Sequence, residues 1–176
     1  MYVESYPQAY IEYLVHFHSD YDYFECHEQL EDYWKEHANT QRDSIWVGLI
    51  QVAVALYHQR RENFVGAYKL MKKALVQFNG KMNETEQLGI DHSSWVKLLN
   101  ERLVEMKNYI EYTPLWIPFN NQQIVAICQA ACSRLNLIWK SNVNPSYKII
   151  HFHKLRDRSD VIKARAHALA ERKVLL

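Results

Sequence analysis

The chain has 176 residues, 48% of them hydrophobic, enough to bury one ordinary core without disulfides or a structural metal. Its 21 Lys and Arg against 20 Asp and Glu leave a formal charge of +1, so no global field recruits nucleic acid or an anionic membrane. Three cysteines without metal-finger spacing, only four glycines and four prolines, and no apolar run of the about 20 residues that cross a bilayer indicate a cytoplasmic, all-α protein with reduced thiols.

A first helix is predicted from about residue 6 to 18, with Pro7 in its first turn and Tyr10, Tyr13, Leu14 and Phe17 at three- or four-residue intervals. Asp20 is the expected cap of a second helix that runs to about His37, with Tyr23, Phe24, His27, Leu30, Glu31 and Trp34 on one face. A polar turn over 39–42 precedes a third helix, about 44–61, capped by Asp43 or Ser44 and closed by Arg60 and Arg61. Its middle is apolar on nearly every side, which places it at the centre. Asn63 caps a fourth helix, and Asn79-Gly80 stops it after Phe78. Polar residues 81–90 read as a loop, followed by a fifth helix over about 91–109 that turns Trp95, Leu99, Arg102 and Met106 inward.

Pro114 and Pro118 keep 113–118 extended and mark a boundary in organisation. Residues 1–112 are therefore expected to form a compact bundle of about five helices, and 113–176 a partly helical C-terminal extension packed on it or extending from it. Within the extension, helices are predicted over 122–137 and 159–173, with 147–152 an ordered arm between them.

His27, Glu28 and Glu31 are the site-like feature. At about 100° per residue, His27 and Glu31 fall on one helix face and Glu28 at its edge. Aromatic neighbours draw that face below the surface, where an imidazole and a carboxylate must be paired. The pattern admits a structural His–carboxylate pair, a general acid–base site or part of a metal shell. On the third helix Gln51, Ala55 and His58 share a face, and antiparallel packing brings His58 to the height of His27. Two assignments follow. In one, Glu25, His27, Glu31, Trp34, Gln51 and His58 form a structural polar network in a non-enzymatic or protein-interaction module. In the other, His27, Glu31 and His58 hold a divalent metal such as zinc, with Glu28 as base for its water, in a metal-dependent hydrolase.

No spacing motif decides between them. His-Glu-x-x-Glu departs from the zincin His-Glu-x-x-His, and the repeated Glu-x-x-His of di-iron bundles is missing. Cys26 points about 100° away from His27 and is no partner for it. His151 and His153 lie on one side of the expected arm, a weak metal pair. Residues 148–176 carry eight Lys and Arg against three Asp and Glu, a basic surplus that offers contact with a protein partner, a second copy or, as a third reading, nucleic acid.

The segments Tyr23-Phe24-Glu25-Cys26-His27-Glu28-Gln29-Leu30-Glu31-Asp32-Tyr33-Trp34 and Gly48 to His58, with the Asn63 to Phe78 helix, carry a resemblance. Over about residues 10–80 the chain resembles the bacterial and archaeal family catalogued as domain of unknown function 309, in its longer Bacillus-type form. What that implies is an all-helical fold without an established activity; some members carry a metal-dependent hydrolase label. The matching motif positions are Glu25, His27, Glu28, Glu31, Trp34, Gln51 and His58, and residues after about 112 lie outside the shared core.

Overall fold

The computed structural model describes residues 6–37 and 42–155, with Ser159 and Lys163 besides. Among the described residues there are eight helices: α1 (Gln8–His18), α2 (Tyr23–His37), α3 (Ile45–Arg60), α4 (Phe64–Phe78), α5 (Met82–Gln87), α6 (His92–Lys107), α7 (Gln122–Arg134) and α8 (Tyr147–Leu155). Strands are missing from these residues, where only an isolated antiparallel bridge joins Ile90 to Phe119. The all-α class holds. No helix among them is long and apolar enough to cross a membrane.

The central position expected for the third helix is what α3 occupies. It packs against α2 on one side and α4 on the other, with α1 and α7 stacked beyond α2 and α6 beyond α4. Leu49, Val52, Ala53, Ala55 and Leu56 are completely buried, so α3 presents apolar surface in several directions at once. Gly48 lets α3 approach α4 closely: a Cβ there would stand 3.0 Å from the Cβ of Gln77 and 3.2 Å from the Phe78 ring. Buried tyrosines fill much of the core while their hydroxyls find carbonyls, Tyr10 donating to Leu88 and Tyr13 to Leu49, both at 2.9 Å.

Capping follows the sequence at most ends. The Ser44 hydroxyl accepts from the Trp46 N–H, Asn63 accepts from Gly66 and Asp91 accepts from Ser94. The exception is α2. Tyr21 takes a left-handed φ of 56°, which breaks the chain after Asp20, and it is Asp22 whose carboxylate accepts from the Glu25 N–H. Asp20 instead faces His16, 3.1 Å from its Nδ1.

Two further readings are corrected. Residues 81–90 are not simply a loop, because α5 occupies Met82–Gln87, buries Thr85 and makes six helices before residue 112 instead of about five. Polar composition alone does not prevent a helix when Met, Glu and Gln are good helix formers. The arm expected at 147–152 is helical too: α8 runs through it, kinked at His151 (φ −117°, ψ 18°). The turn over 39–42 and the basic helix over 159–173 lie outside the described residues, apart from Arg42, Ser159 and Lys163.

Between α6 and α7 the chain crosses the bundle as an irregular strap, as the two prolines require. Leu115 and Ile117 are buried beneath it. The Asp91 N–H donates to the Pro118 carbonyl and the Asn120 N–H to Gly89, both at 2.9 Å. Gly89 has φ +78°, and a Cβ there would come within 3.0 Å of Ile124, so this crossing needs glycine on two counts.

Candidate functional site

The i, i+1, i+4 spacing on α2 brings the three chemistry-bearing side chains together. His27 Nδ1 lies 3.1 Å from a Glu28 oxygen and Nε2 lies 3.3 Å from a Glu31 oxygen. One donor atom from each falls within 4.8 Å of the others. A carboxylate oxygen only accepts, so both contacts are hydrogen bonds at once only for a ring protonated on both nitrogens. The other Glu31 oxygen faces Lys35 Nζ at 3.4 Å. The three side chains are 27%, 41% and 32% exposed for His27, Glu28 and Glu31, so the cluster is half-buried at the protein's edge.

His58 stands outside that cluster but in the same cleft. The start of α2 faces the end of α3, as antiparallel packing requires, and between them opens a cleft of about 460 Å³. Tyr23, Phe24 and His27 line it from α2, and Val54, Tyr57 and His58 from α3. Arg61 and Asn63 close its end. Asn63 uses its Oδ1 to accept from the Gly66 N–H, which turns its Nδ2 toward His58 Nδ1 at 2.9 Å. Asn63 is therefore the donor, and the neutral His58 ring keeps its proton on Nε2. Burial, and then the charge of Arg61, hold His58 below its ordinary pKa.

Glu25 accepts from Gln29 Nε2 at 2.7 Å along its own helix, Trp34 is half-buried on α2, and Gln51 holds a buried Oε1 without a hydrogen-bond partner among the described residues. Cys26 is completely buried with its thiol against the Tyr13 carbonyl at 3.4 Å; burial, then nearby carboxylates led by Asp22, push that thiol well above its ordinary pKa. Burial, then Cys132, raises Cys128 to about 12.

Of three further residues that shape the cleft, Arg61 and Tyr57 carry no site signal in the sequence and His153 only that of a weak metal pair. Arg61 and its neighbour Arg60 read as helix-end charges, yet Arg61 stacks over Tyr57, its guanidinium carbon 5.4 Å from the ring centroid. Tyr57 read as core. His153 read as half of a pair on an extended arm, but α8 separates it from His151: His151 rests on Tyr147 with ring centroids 4.3 Å apart, while His153 lines the cleft. The His153 N–H donates to the Tyr57 hydroxyl at 3.3 Å and His153 Nδ1 lies 2.6 Å from the same oxygen. Phe152 packs on Phe24 at 5.0 Å and seats α8 against α2.

Residues 10–70 match a family model described as "Domain of unknown function (DUF309)". Over 169 residues the chain is 38% identical to a Bacillus subtilis (strain 168) protein printed as "Uncharacterized protein YpuF", an alignment covering 96% of this chain and 97% of that one. The chain belongs to the DUF309 family. In this DUF309 protein the model's segment takes in most of α1, all of α2 and α3 and the first half of α4, hence the His27 cluster and the α3 wall of the cleft. The likeness to the Bacillus subtilis protein continues across nearly the whole chain, beyond the segment that the resemblance covers. No solved structure matches this DUF309 chain.

Proposed function

We propose that this chain is a non-catalytic binding module in which His27, Glu28 and Glu31 form a structural clamp that stiffens α2, while the cleft beside it is the recognition surface. The observation that carries this reading is the pairing of His27: each ring nitrogen already faces a carboxylate of its own helix. A metal ligand needs a deprotonated nitrogen with a free lone pair, and His58 keeps its proton on the nitrogen away from Asn63. Ion pairs this exposed are each worth roughly 0.2–1 kcal/mol. Elemental analysis of protein purified without added metal is therefore expected to show no stoichiometric metal, and His27→Ala to lower stability by about 1 kcal/mol. Stoichiometric zinc, iron or manganese that disappears in His27→Ala overturns the reading.

One observation favours a second reading, the metal-dependent hydrolase. Three nitrogen and oxygen donors within 4.8 Å of one another on one helix face are a compact ligand set, with His58 in the same cleft as a further ligand and Glu28 as the base. The same elemental analysis decides for it if metal is found. A third reading, nucleic-acid contact through the basic helix expected over 159–173, predicts binding that weakens steeply with salt and vanishes on truncation before Arg156. Binding that survives the truncation excludes it.

A further inference from the structure

The cleft gathers nitrogen donors, and the carboxylates at its edge, Glu28 and Glu31, face His27. Its lining includes His27, His58, Arg61, Asn63 and His153 and, among the described residues, no Asp or Glu, and the rings of Phe24 and Tyr57 stand in its walls. Arg61 Nε is buried with no hydrogen-bond partner among the described residues, although its guanidinium is held in place over Tyr57. A buried donor of that kind costs free energy until something accepts from it. Arg60 stands next to it, placed by the Tyr21 carbonyl at 2.7 Å and by the Tyr23 ring, its centroid 5.0 Å away.

We infer that the cleft between α2, α3 and α8 is a binding site for a phosphate monoester carried on a flat, apolar body. A fixed guanidinium with imidazole Nε2–H and amide donors around it suits an acceptor with three oxygens spread in space better than a two-oxygen carboxylate. The flat body lies against Phe24 and Tyr57, and a cleft of about 460 Å³ is in the range of small-molecule sites. The inference rests on the cleft being the recognition surface. It does not depend on the metal content of His27, so the two tests fail separately.

Phenyl phosphate is the probe, titrated into the full chain and followed by amide chemical shifts, with inorganic phosphate, benzoate and benzyl alcohol as comparisons. The expected result is saturable binding of phenyl phosphate with shifts confined to residues 23–27, 54–63 and 151–153. Inorganic phosphate binds roughly tenfold more weakly, benzyl alcohol does not saturate, and Arg61→Gln weakens phenyl phosphate roughly tenfold while leaving the rest of the spectrum in place. Shifts that map elsewhere, benzoate binding more tightly than phenyl phosphate, benzyl alcohol binding equally well, or no saturation at millimolar probe each overturn the inference. Because the map is made on the unmodified chain, it decides the question even where Arg61→Gln does not fold.

Discussion

His18→Ala is expected to destabilise the fold by about 3–4 kcal/mol near neutral pH, and the gap between wild type and variant is expected to narrow in acid. His18 is completely buried at the end of α1, where three separate parts of the chain meet. Its Nδ1 donates to the Leu14 carbonyl at 2.8 Å, and its Nε2 accepts from the Ile117 N–H at 3.0 Å, so both nitrogens are used by one neutral tautomer. The Trp139 ring stacks on it with centroids 4.4 Å apart. Alanine would leave the Ile117 N–H buried without its acceptor and open a ring-sized cavity. Burial lowers His18 to about 3, so the folded protein keeps the ring neutral while the unfolded chain takes a proton near the ordinary value of about 6.5. Its contribution is therefore complete above about pH 6.5 and declines as pH falls from there toward 3, by about 2 kcal/mol on reaching about pH 5.

Wild-type stability alone would not isolate this, because His16 works in the opposite sense. Burial would lower His16, but the Asp20 carboxylate raises it overall, so its contribution is present in acid and fades as pH rises through the raised value. The difference between wild type and His18→Ala in urea unfolding, measured near pH 7.5 and near pH 5, removes that background. A difference that stays constant with pH would show that His18 is not held neutral by the fold.

Much of this architecture is legible because it is local. The caps at Ser44, Asn63 and Asp91, the apolar girth of α3 and the prolines of the strap are written in a few adjacent residues each. Readings that fail do so where a distant contact or a single dihedral decides. Asp20 and Asp22 are equal as capping residues until Tyr21 adopts φ 56° and gives the role to Asp22. The segment 147–152 has β-branched and aromatic residues that suit a strand, but it becomes helical where Phe152 and His153 pack on Phe24 and Tyr57. His18 shows the same limit. Nothing in its spacing reveals that its partners come from residues 117 and 139.

The candidate site divides along the same line. His27, Glu28 and Glu31 meet because three positions on one helix must meet, and His58 shares their cleft because a short link makes α2 and α3 antiparallel. What spacing cannot supply is orientation. Asn63 is legible as a cap, yet its second role, donating a hydrogen bond to His58 Nδ1 and so fixing the tautomer, depends on the turn that follows α3. The arrival of His153 from α8 arises from packing between segments almost a hundred residues apart, whereas Arg61 reaches the Tyr57 ring from only four residues further along the end of α3.

Arg102→Ala is expected to cost about 3–5 kcal/mol, because it removes a large buried side chain and leaves the Thr113 and Gln59 acceptors without their donor. Arg102 is 5% exposed, and its guanidinium joins three parts of the chain. Nη1 donates to the Thr113 carbonyl at 2.7 Å and to Gln59 Oε1 at 3.3 Å, Nη2 donates to the Thr113 hydroxyl at 3.3 Å, and Nε faces Glu105 at 3.0 Å. Gln59 in turn donates to the Ile110 carbonyl at 3.1 Å, so one side chain holds both ends of the turn into the strap. Glu105 is 41% exposed and can rehydrate, so Glu105→Gln is expected to cost under about 1 kcal/mol. Arg102→Met separates volume from hydrogen bonding: it restores most of the buried bulk but leaves Thr113 and Gln59 without their donor, and it is expected to remain at least about 2 kcal/mol below wild type. Urea unfolding of the three variants measures these differences. If Arg102→Met recovers full stability, the strap is held by packing of Leu115 and Ile117, and the guanidinium is dispensable. If it does not, the strap depends on the fork, and through the 2.6 Å contact between the Tyr112 and Tyr23 hydroxyls so does the α2 wall of the cleft.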